Sequence, residues 1–97
     1  VEDRALLEVY FNRTLGALVE YDRINRTDLY HTLSEYCNHD CNLQATAQVL
    51  FVHKNTLKYR LERIGDILGC DIRLNDAFLR IGVGLQIGEI LRAHSNH

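Results

Sequence analysis

The 97-residue chain contains no proline. Proline breaks helices because it lacks a backbone donor and its ring clashes with the preceding turn, so its absence permits uninterrupted helices throughout. The sequence also has no useful stretch of alternating apolar and polar residues that would predict a strand, and no internal repeat or low-complexity segment. With 46% hydrophobic and 25% charged residues, the composition is that of an ordinary globular protein. These features predict a single all-α domain.

Signals that direct a protein to or across a membrane are also missing. No apolar run is long enough to span a bilayer, and the chain does not start with a signal-peptide pattern. The three cysteines, Cys37, Cys41 and Cys70, form an odd set that favours free thiols in a reducing compartment. We therefore expect a cytoplasmic location. The chain begins at Val1 and has no methionine, so we expect it to be a fragment of a longer protein with a region upstream.

Catalytic and metal-binding patterns are weak. The sequence has no glycine-rich phosphate loop and no local pairing of a nucleophile with a base, so neither an enzyme nor a cofactor is predicted. Cys37, His39 and Cys41 form a C-x-H-x-C cluster to which Cys70 could add a fourth ligand. Structural zinc sites usually combine two close pairs, and a second pair is missing here. No metal site is predicted.

Apolar periodicity and capping residues predict about five helices. The predicted spans are 2–20, 28–38, 43–50, 54–68 and 76–92. The polar segment Tyr21–Arg26 is expected to be a loop, Thr27 or Asp28 to cap the second helix, and Gly69 to end the fourth in a left-handed conformation. The apolar side of the second helix comprises Leu29, Leu33, Tyr36 and Cys37.

The most informative segment is residues 42–64, NLQATAQVLFVHKNTLKYRLERI. Asn42 is placed to cap a short helix, and Ala47 is small enough to lie where two helices cross. Leu50 and Val52 flank a tight turn. In the helix that follows, each residue turns by about 100°, which brings together the apolar side chains of Leu57, Leu61 and Ile64. Two helices joined in this way are typical of a helix-turn-helix, with residues 28–69 as its core.

The net charge of −2 does not by itself suggest a nucleic-acid partner. The distribution of charge does, because residues 53–64 hold four basic residues and one acidic residue, a local balance of +3. Residues 1–40 hold eight acidic and four basic residues, a balance of −4. Since DNA binding requires a basic face and not a basic whole, the second helix of the motif is the candidate DNA-binding helix.

Residue chemistry assigns roles along this helix. Asn55 can form two hydrogen bonds with adenine, and Lys54 or Lys58 can bind guanine. The Thr56 methyl could touch a thymine methyl, while its hydroxyl could bind a phosphate or only cap the helix. His53 is favoured as helix N-cap or turn residue over base reader.

The remaining side chains suit the DNA backbone. The stem of Arg60 can lie along the edge of the core while its head reaches a phosphate, and Arg63 lies on the opposite flank from Lys58. Tyr59 could face DNA or pack on a neighbouring helix.

The segment VHKNTLKYRLERI (52–64) resembles the signature of the PucR/CdaR class of bacterial transcriptional regulators, at their C-terminal helix-turn-helix. LGALVEYD (15–22), LYHTLSEYC (29–37) and NLQATAQVL (42–50) also agree with it. The resemblance covers nearly all of the chain from about Leu15 onward and is densest in HKNTLKYRL. The core resembles the Fis-like helix-turn-helix more distantly.

The resemblance implies a function. Members of this class are typically multidomain regulators in which an upstream sensory region detects a small molecule and the C-terminal domain binds promoter DNA, commonly as a dimer. We therefore expect double-stranded DNA as partner, a homodimer, and an effector bound outside this fragment. The residues expected to face DNA are His53, Lys54, Asn55, Thr56, Lys58, Tyr59, Arg60 and Arg63. The alternative function is a helical protein-interaction module that binds an acidic partner.

Two features depart from simple expectation. Phe51 occupies the turn position that often holds glycine, so we expect a turn of different shape. In the last helix, whose predicted core positions are Phe78, Ile81, Leu85 and Leu91, three glycines are interspersed with further apolar residues. Glycine weakens a helix, so the glycines indicate either close approach of another helix, as in a dimer interface, or simple burial within the monomer.

Overall fold

The computed structural model describes residues 2–95, and five helices account for most of them. They are α1 (Glu2–Asn25), α2 (Leu29–Asn38), α3 (Leu43–Leu50), α4 (Lys54–Leu68) and α5 (Asn75–Ser95). No strand occurs within this part of the chain, and the predicted all-α class is confirmed. No helix in the described range combines the length and apolar character needed to cross a membrane.

The first helix is longer than predicted. The expected end at residue 20 and the loop at Tyr21–Arg26 are wrong, because α1 continues to Asn25. Tyr21 is half-buried against the core, so this segment has an inward-facing residue that its polar composition conceals. The helix ends where Arg26 adopts a left-handed conformation with φ 55°.

The extra turn of α1 brings Asp22 to the start of α2. Its carboxylate accepts hydrogen bonds from the backbone N–H groups of Leu29 and Tyr30, both at 2.9 Å, and from the Thr27 hydroxyl at 2.6 Å. Asp28 occupies the N-cap position but its side chain makes no capping bond. Of the two predicted caps, Asp28 is the N-cap residue by position. The hydrogen bonds expected from its side chain come instead from Asp22, which satisfies these backbone donors from the preceding helix.

All five helices contribute to one hydrophobic core. Its fully buried centre combines Leu15 and Leu18 of α1, Leu33 of α2, and Leu57 and Ile64 of α4. The apolar side predicted for α2 is confirmed, with Leu29 and Leu33 buried and the other two members, Tyr36 and Cys37, half-buried against the core. This core holds α4 with its apolar face inward and the rest of its surface open to solvent.

The last helix packs along α1 in the antiparallel direction, since Gly84 lies beside Thr14 whereas Gly88 lies beside Phe11. A Cβ atom on Gly84 would lie 3.1 Å from Thr14 Cγ2, and one on Gly88 only 2.7 Å from Phe11 Cε1 and 2.5 Å from the Tyr30 hydroxyl. These two glycines therefore permit close packing within the monomer. Gly82 has no neighbouring atom within 4 Å of such a Cβ.

The predicted core positions of α5 are partly correct. Ile81 and Leu85 are buried, whereas Phe78 and Leu91 are only half-buried. Ala77 and Ile87 are buried in addition. The helix also extends beyond the predicted span of 76–92, to Asn75–Ser95.

Candidate nucleic-acid interface

Helices α3 and α4 form the predicted helix-turn-helix. The Asn42 side chain accepts a hydrogen bond from the Ala45 N–H at 2.8 Å and so caps α3. Ala47 is buried in the core, where a larger side chain would separate the helices. Gly69 ends α4 in a left-handed conformation with φ 70°. The helix boundaries and both caps agree with the sequence prediction.

The turn between the two helices has the ordinary left-handed form, although its residue is not glycine. Phe51 adopts φ 57° and ψ 42°, and its N–H donates to the Gln48 carbonyl at 3.2 Å. The N–H of Val52 donates to the Ala47 carbonyl at 3.0 Å. The expectation of a differently shaped turn is wrong. The Phe51 side chain is 94% exposed, so its bulk meets no neighbour that would prevent this backbone conformation.

His53 is the N-cap of α4. Its Nδ1 accepts a hydrogen bond from the Asn55 N–H at 3.0 Å, which confirms the capping interpretation. A neutral imidazole that accepts at Nδ1 carries its proton at Nε2. His53 therefore presents an N–H donor beyond the end of the helix.

The orientation of α4 agrees with its predicted inner and outer faces. Leu57, Leu61 and Ile64 are buried, and Arg60 is half-buried at the edge of the core. The other side chains predicted to contact DNA are exposed, and they are His53, Lys54, Asn55, Thr56, Lys58, Tyr59 and Arg63. The structure thus brings the whole predicted set onto the outward-facing surface at and after the start of one helix.

Tyr59 and Arg63 form a pair that the individual residue assignments missed. The Arg63 Nη2 donates to the Tyr59 hydroxyl at 3.3 Å, and this hydrogen bond raises the pKa of the Arg63 guanidinium. Tyr59 is 63% exposed, so it does not pack into a neighbouring helix as the alternative interpretation suggested. The signal in the sequence is the spacing of four residues, which places side chains on one face of a helix.

The basic side chains of α4 form no ion pairs within the described domain, unlike most other arginines there. The ion pairs of Arg and Lys within residues 2–95 lie outside α4 and are Arg4–Glu8, Arg23–Glu20, Arg73–Asp71 and Arg92–Glu89. Lys54 and Lys58, the only lysines in the chain, belong to α4 together with Arg60 and Arg63. The α4 cations therefore form no ion pair within the described domain and remain available to an anion, as an anion-binding surface requires.

A cleft of about 840 Å³ lies on the Lys58 flank of α4, where Tyr36, Leu61, Glu62 and Arg73 line part of its wall. Both signs of charge occur around it. The carboxylates of Glu62 and Asp66 border this cleft and make the second half of α4 less favourable for phosphate than the first half.

The three thiols are free and half-buried. Burial raises the pKa of Cys37 to about 11, so this thiol remains protonated near neutral pH and behaves as a small apolar side chain. Within residues 2–95, no three His, Cys, Asp or Glu side chains are grouped closely enough to hold a metal ion.

The chain is similar to known transcriptional regulators. It matches the PucR C-terminal helix-turn-helix domain over residues 29–87. It is 34% identical over 91 residues to the purine catabolism regulatory protein of Bacillus subtilis (strain 168), covering 94% of this chain and 16% of that protein. It is 41% identical over 77 residues to the carbohydrate diacid regulator of Escherichia coli (strain K12), covering 79% of this chain and 20% of that protein.

A third relative is the DNA-binding transcriptional activator AdeR of Bacillus subtilis (strain 168), 34% identical over 64 residues, which are 66% of this chain and 15% of that protein. The chain thus spans only a small part of these regulators. No solved structure matches it significantly. The family match extends from the start of α2 into α5 and includes the complete helix-turn-helix. The chain therefore belongs to the family of PucR C-terminal helix-turn-helix domains, the DNA-binding output domains of this class of transcriptional regulators.

Proposed function

We propose that α4 enters the major groove of promoter DNA and reads a short half-site there. The observation that supports this best is the arrangement of four cations on α4 that no carboxylate of the described domain pairs with. Exposed Asn55 and Thr56 lie among them, at the end of the helix that contacts base edges in this type of motif. The domain acts by binding and not by catalysis.

Base recognition falls to the first turns of α4. Asn55 is exposed, and its side-chain amide can donate to and accept from the two major-groove positions of adenine. Lys54 and Lys58 can donate to guanine, and the Thr56 methyl can contact thymine.

Phosphate contacts position the helix. The half-buried stem of Arg60 restrains its guanidinium at the edge of the core. Arg63 is held by Tyr59, and the Nε2–H of His53 is directed away from its capping bond. These groups bind the backbone without reading sequence.

The whole regulator has further parts. A single helix-turn-helix reads only a short sequence, so we propose that two copies bind two half-sites about one helical turn apart. The chain covers 16% of the purine catabolism regulatory protein and 20% of the carbohydrate diacid regulator. By analogy with those names, an upstream region senses a small metabolite in the cytoplasm and controls how this domain engages its promoters.

Two substitutions test the division between base and backbone contacts. Asn55→Ala should reduce discrimination at one base position by about 1–3 kcal/mol. Arg60→Gln, which retains most of the half-buried stem, should weaken binding to all duplexes equally and lower the salt slope by about 0.9. Fluorescence anisotropy with the preferred duplex and its single-base variants, at several salt concentrations, measures both effects.

The two variants are controls for each other. Asn55→Ala should leave the salt slope unchanged, and Arg60→Gln should leave the base preference unchanged. If both substitutions weaken binding to every duplex by the same factor, the proposed roles are incorrect. If neither alters binding while the wild-type domain binds well, α4 is not the DNA-binding helix.

A further inference from the structure

Phe51 is an aromatic residue whose conformation and exposure the folded domain does not explain. Its backbone has φ 57°, in the left-handed region where glycine is usual at the end of a helix. Its side chain is 94% exposed. Glycine would fit this backbone position at lower cost, and a ring in water adds no packing. The stability of the monomer therefore gives no reason for an aromatic side chain at this position.

The turn around Phe51 is fixed, and it directs the ring outward. Leu50 and Val52, on either side of it, are half-buried and pack against the hydrophobic core. The N–H of Phe51 donates to the Gln48 carbonyl at 3.2 Å, and the N–H of Val52 donates to the Ala47 carbonyl at 3.0 Å. Because its neighbours are anchored on the inside, Phe51 presents its ring from a backbone of defined position. Little backbone entropy is then lost when the ring meets a partner.

The turn lies next to the end of α4 that is proposed to read bases. Phe51 is two residues before His53, the N-cap of α4, and two residues span at most about 7 Å. In a helix-turn-helix, the first helix crosses the DNA backbone and the N-terminal residues of the second contact base edges in the major groove. The turn that joins α3 to α4 is therefore expected where the backbone meets the groove, within reach of bases at the margin of the half-site.

We propose that Phe51 is a further base-reading residue, whose ring packs against the C5-methyl group of a thymine at the margin of the half-site. This inference rests on the proposed function, because it requires α4 to lie in the major groove. Among the four bases, thymine alone presents a methyl group in that groove, and phenylalanine is one of the side chains that contact it. The contact removes apolar surface of both partners from water, which the monomer does not achieve for this ring.

A protein partner fits this surface less well. Within residues 43–56, the exposed large apolar side chains are those of Val49 and Phe51, whereas a stable protein interface buries roughly 1,200 Å² or more in total. The exposed side chains that follow the ring at the start of α4 are polar or charged, and they are His53, Lys54 and Asn55. One aromatic ring beside such side chains suits DNA, because phosphates can bind the cation while a base contacts the ring.

The test removes single methyl groups from the DNA. A duplex selected from a random-sequence pool by the wild-type domain is remade with deoxyuridine at one thymine at a time, which deletes only the C5-methyl group. Affinities are measured by fluorescence anisotropy. At one position the wild-type domain should lose affinity roughly fourfold, the effect of burying one methyl-sized group. Phe51→Ala should bind the unmodified duplex more weakly by at least this factor and show no further loss at that position.

Three further variants separate the ring from the fold and from exposure in general. Phe51→Gly should lack the same deoxyuridine response as Phe51→Ala, although its backbone is less strained. Leu79→Ala removes a side chain of α5 that is 64% exposed, and it should retain the wild-type affinity and the response at every thymine. Thr56→Ser removes a methyl group from α4 but keeps the hydroxyl, and it should retain the response at the position assigned to Phe51.

The proposal is overturned if Phe51→Ala retains the wild-type response at every thymine, whether or not its overall affinity falls. If Lys54→Ala/Lys58→Ala weakens binding and Phe51→Ala does not, α4 remains the DNA-binding helix and Phe51 is rejected as a base reader. If the wild-type domain selects no duplex, the proposed function and the role of Phe51 are both rejected.

Discussion

Phe51 places a large aromatic side chain at a backbone position that ordinarily favours glycine. Its φ of 57° brings the Cβ atom close to the backbone, yet the side chain is 94% exposed and gains no packing in return. The helix-turn-helix tolerates this cost because the two backbone hydrogen bonds to the end of α3 hold the turn.

Phe51→Gly should therefore stabilise the domain. Removing the left-handed penalty should raise the free energy of unfolding by about 1 kcal/mol, as measured by urea denaturation. Phe51→Ala is the matched control, because it removes the ring but keeps the penalty, and it should change stability little. Loss of stability in Phe51→Gly would show that the aromatic ring makes a stabilising contact.

At the residue scale, a helix cap could be predicted where the capping residue lies next to the helix end in the sequence. It could not be predicted where the capping residue belongs to another helix. Asn42, His53 and Gly69 act on backbone groups within four residues of themselves, so their roles follow from local preferences. Asp22 binds N–H groups seven and eight residues later. Recognising its role requires knowing that α1 continues past residue 20, which the polar sequence there does not indicate.

At the scale of the helices, α1 and α5 pack closely at Gly84 and Gly88. Gly88 lies under both Phe11 and Tyr30, whose rings are inclined at 54° with centroids 6.1 Å apart. A methyl group at this position would force the rings or the helices apart. Packed interiors accommodate such insertions poorly.

Gly88→Ala should lower the free energy of unfolding by about 1–3 kcal/mol, even though alanine is the better helix former. Gly82→Ala adds the same methyl group to the same helix in open space and should stabilise the monomer by up to about 1 kcal/mol. Thermal unfolding at a concentration where the domain is monomeric compares them. Equal effects of the two substitutions would contradict the packing described for α1 and α5.

Element boundaries were predictable where strong signals lie at both ends. α3 and α4 each begin and end at the predicted residues, because Asn42, the turn and Gly69 define them. α5 illustrates the limit of such reasoning. Its three glycines look alike in sequence, but two permit close packing within the monomer and one faces open space. Only the packing of α1 against α5 distinguishes them.

For the molecule as a whole, the separation of charge matters more than the total of −2. Acidic residues predominate in the first 40 residues, and the two lysines lie on α4.

The family match begins at residue 29, yet Leu15 and Leu18 of α1 complete the core and Asp22 caps α2. α1 is therefore a structural part of the DNA-binding domain. The exposed residues of α4 were predictable because helical periodicity separates the helix into inner and outer faces, and their contact with DNA stays a prediction.

The central claim is that DNA binds through the basic face of α4. The most direct test is the salt dependence of affinity for a labelled random-sequence duplex, compared between the wild-type domain and Lys54→Ala/Lys58→Ala. The control is Arg13→Ala/Arg80→Ala, which removes two exposed charges on α1 and α5. We predict salt-sensitive binding by the wild type and an unchanged slope in the arginine variant. On a random-sequence duplex, where no guanine is fixed opposite them, both lysines can neutralise phosphates, so the slope of the lysine variant should fall by up to about 1.8. Equal slopes for both variants, or no binding at low salt by a domain with intact helical structure, would contradict the claim.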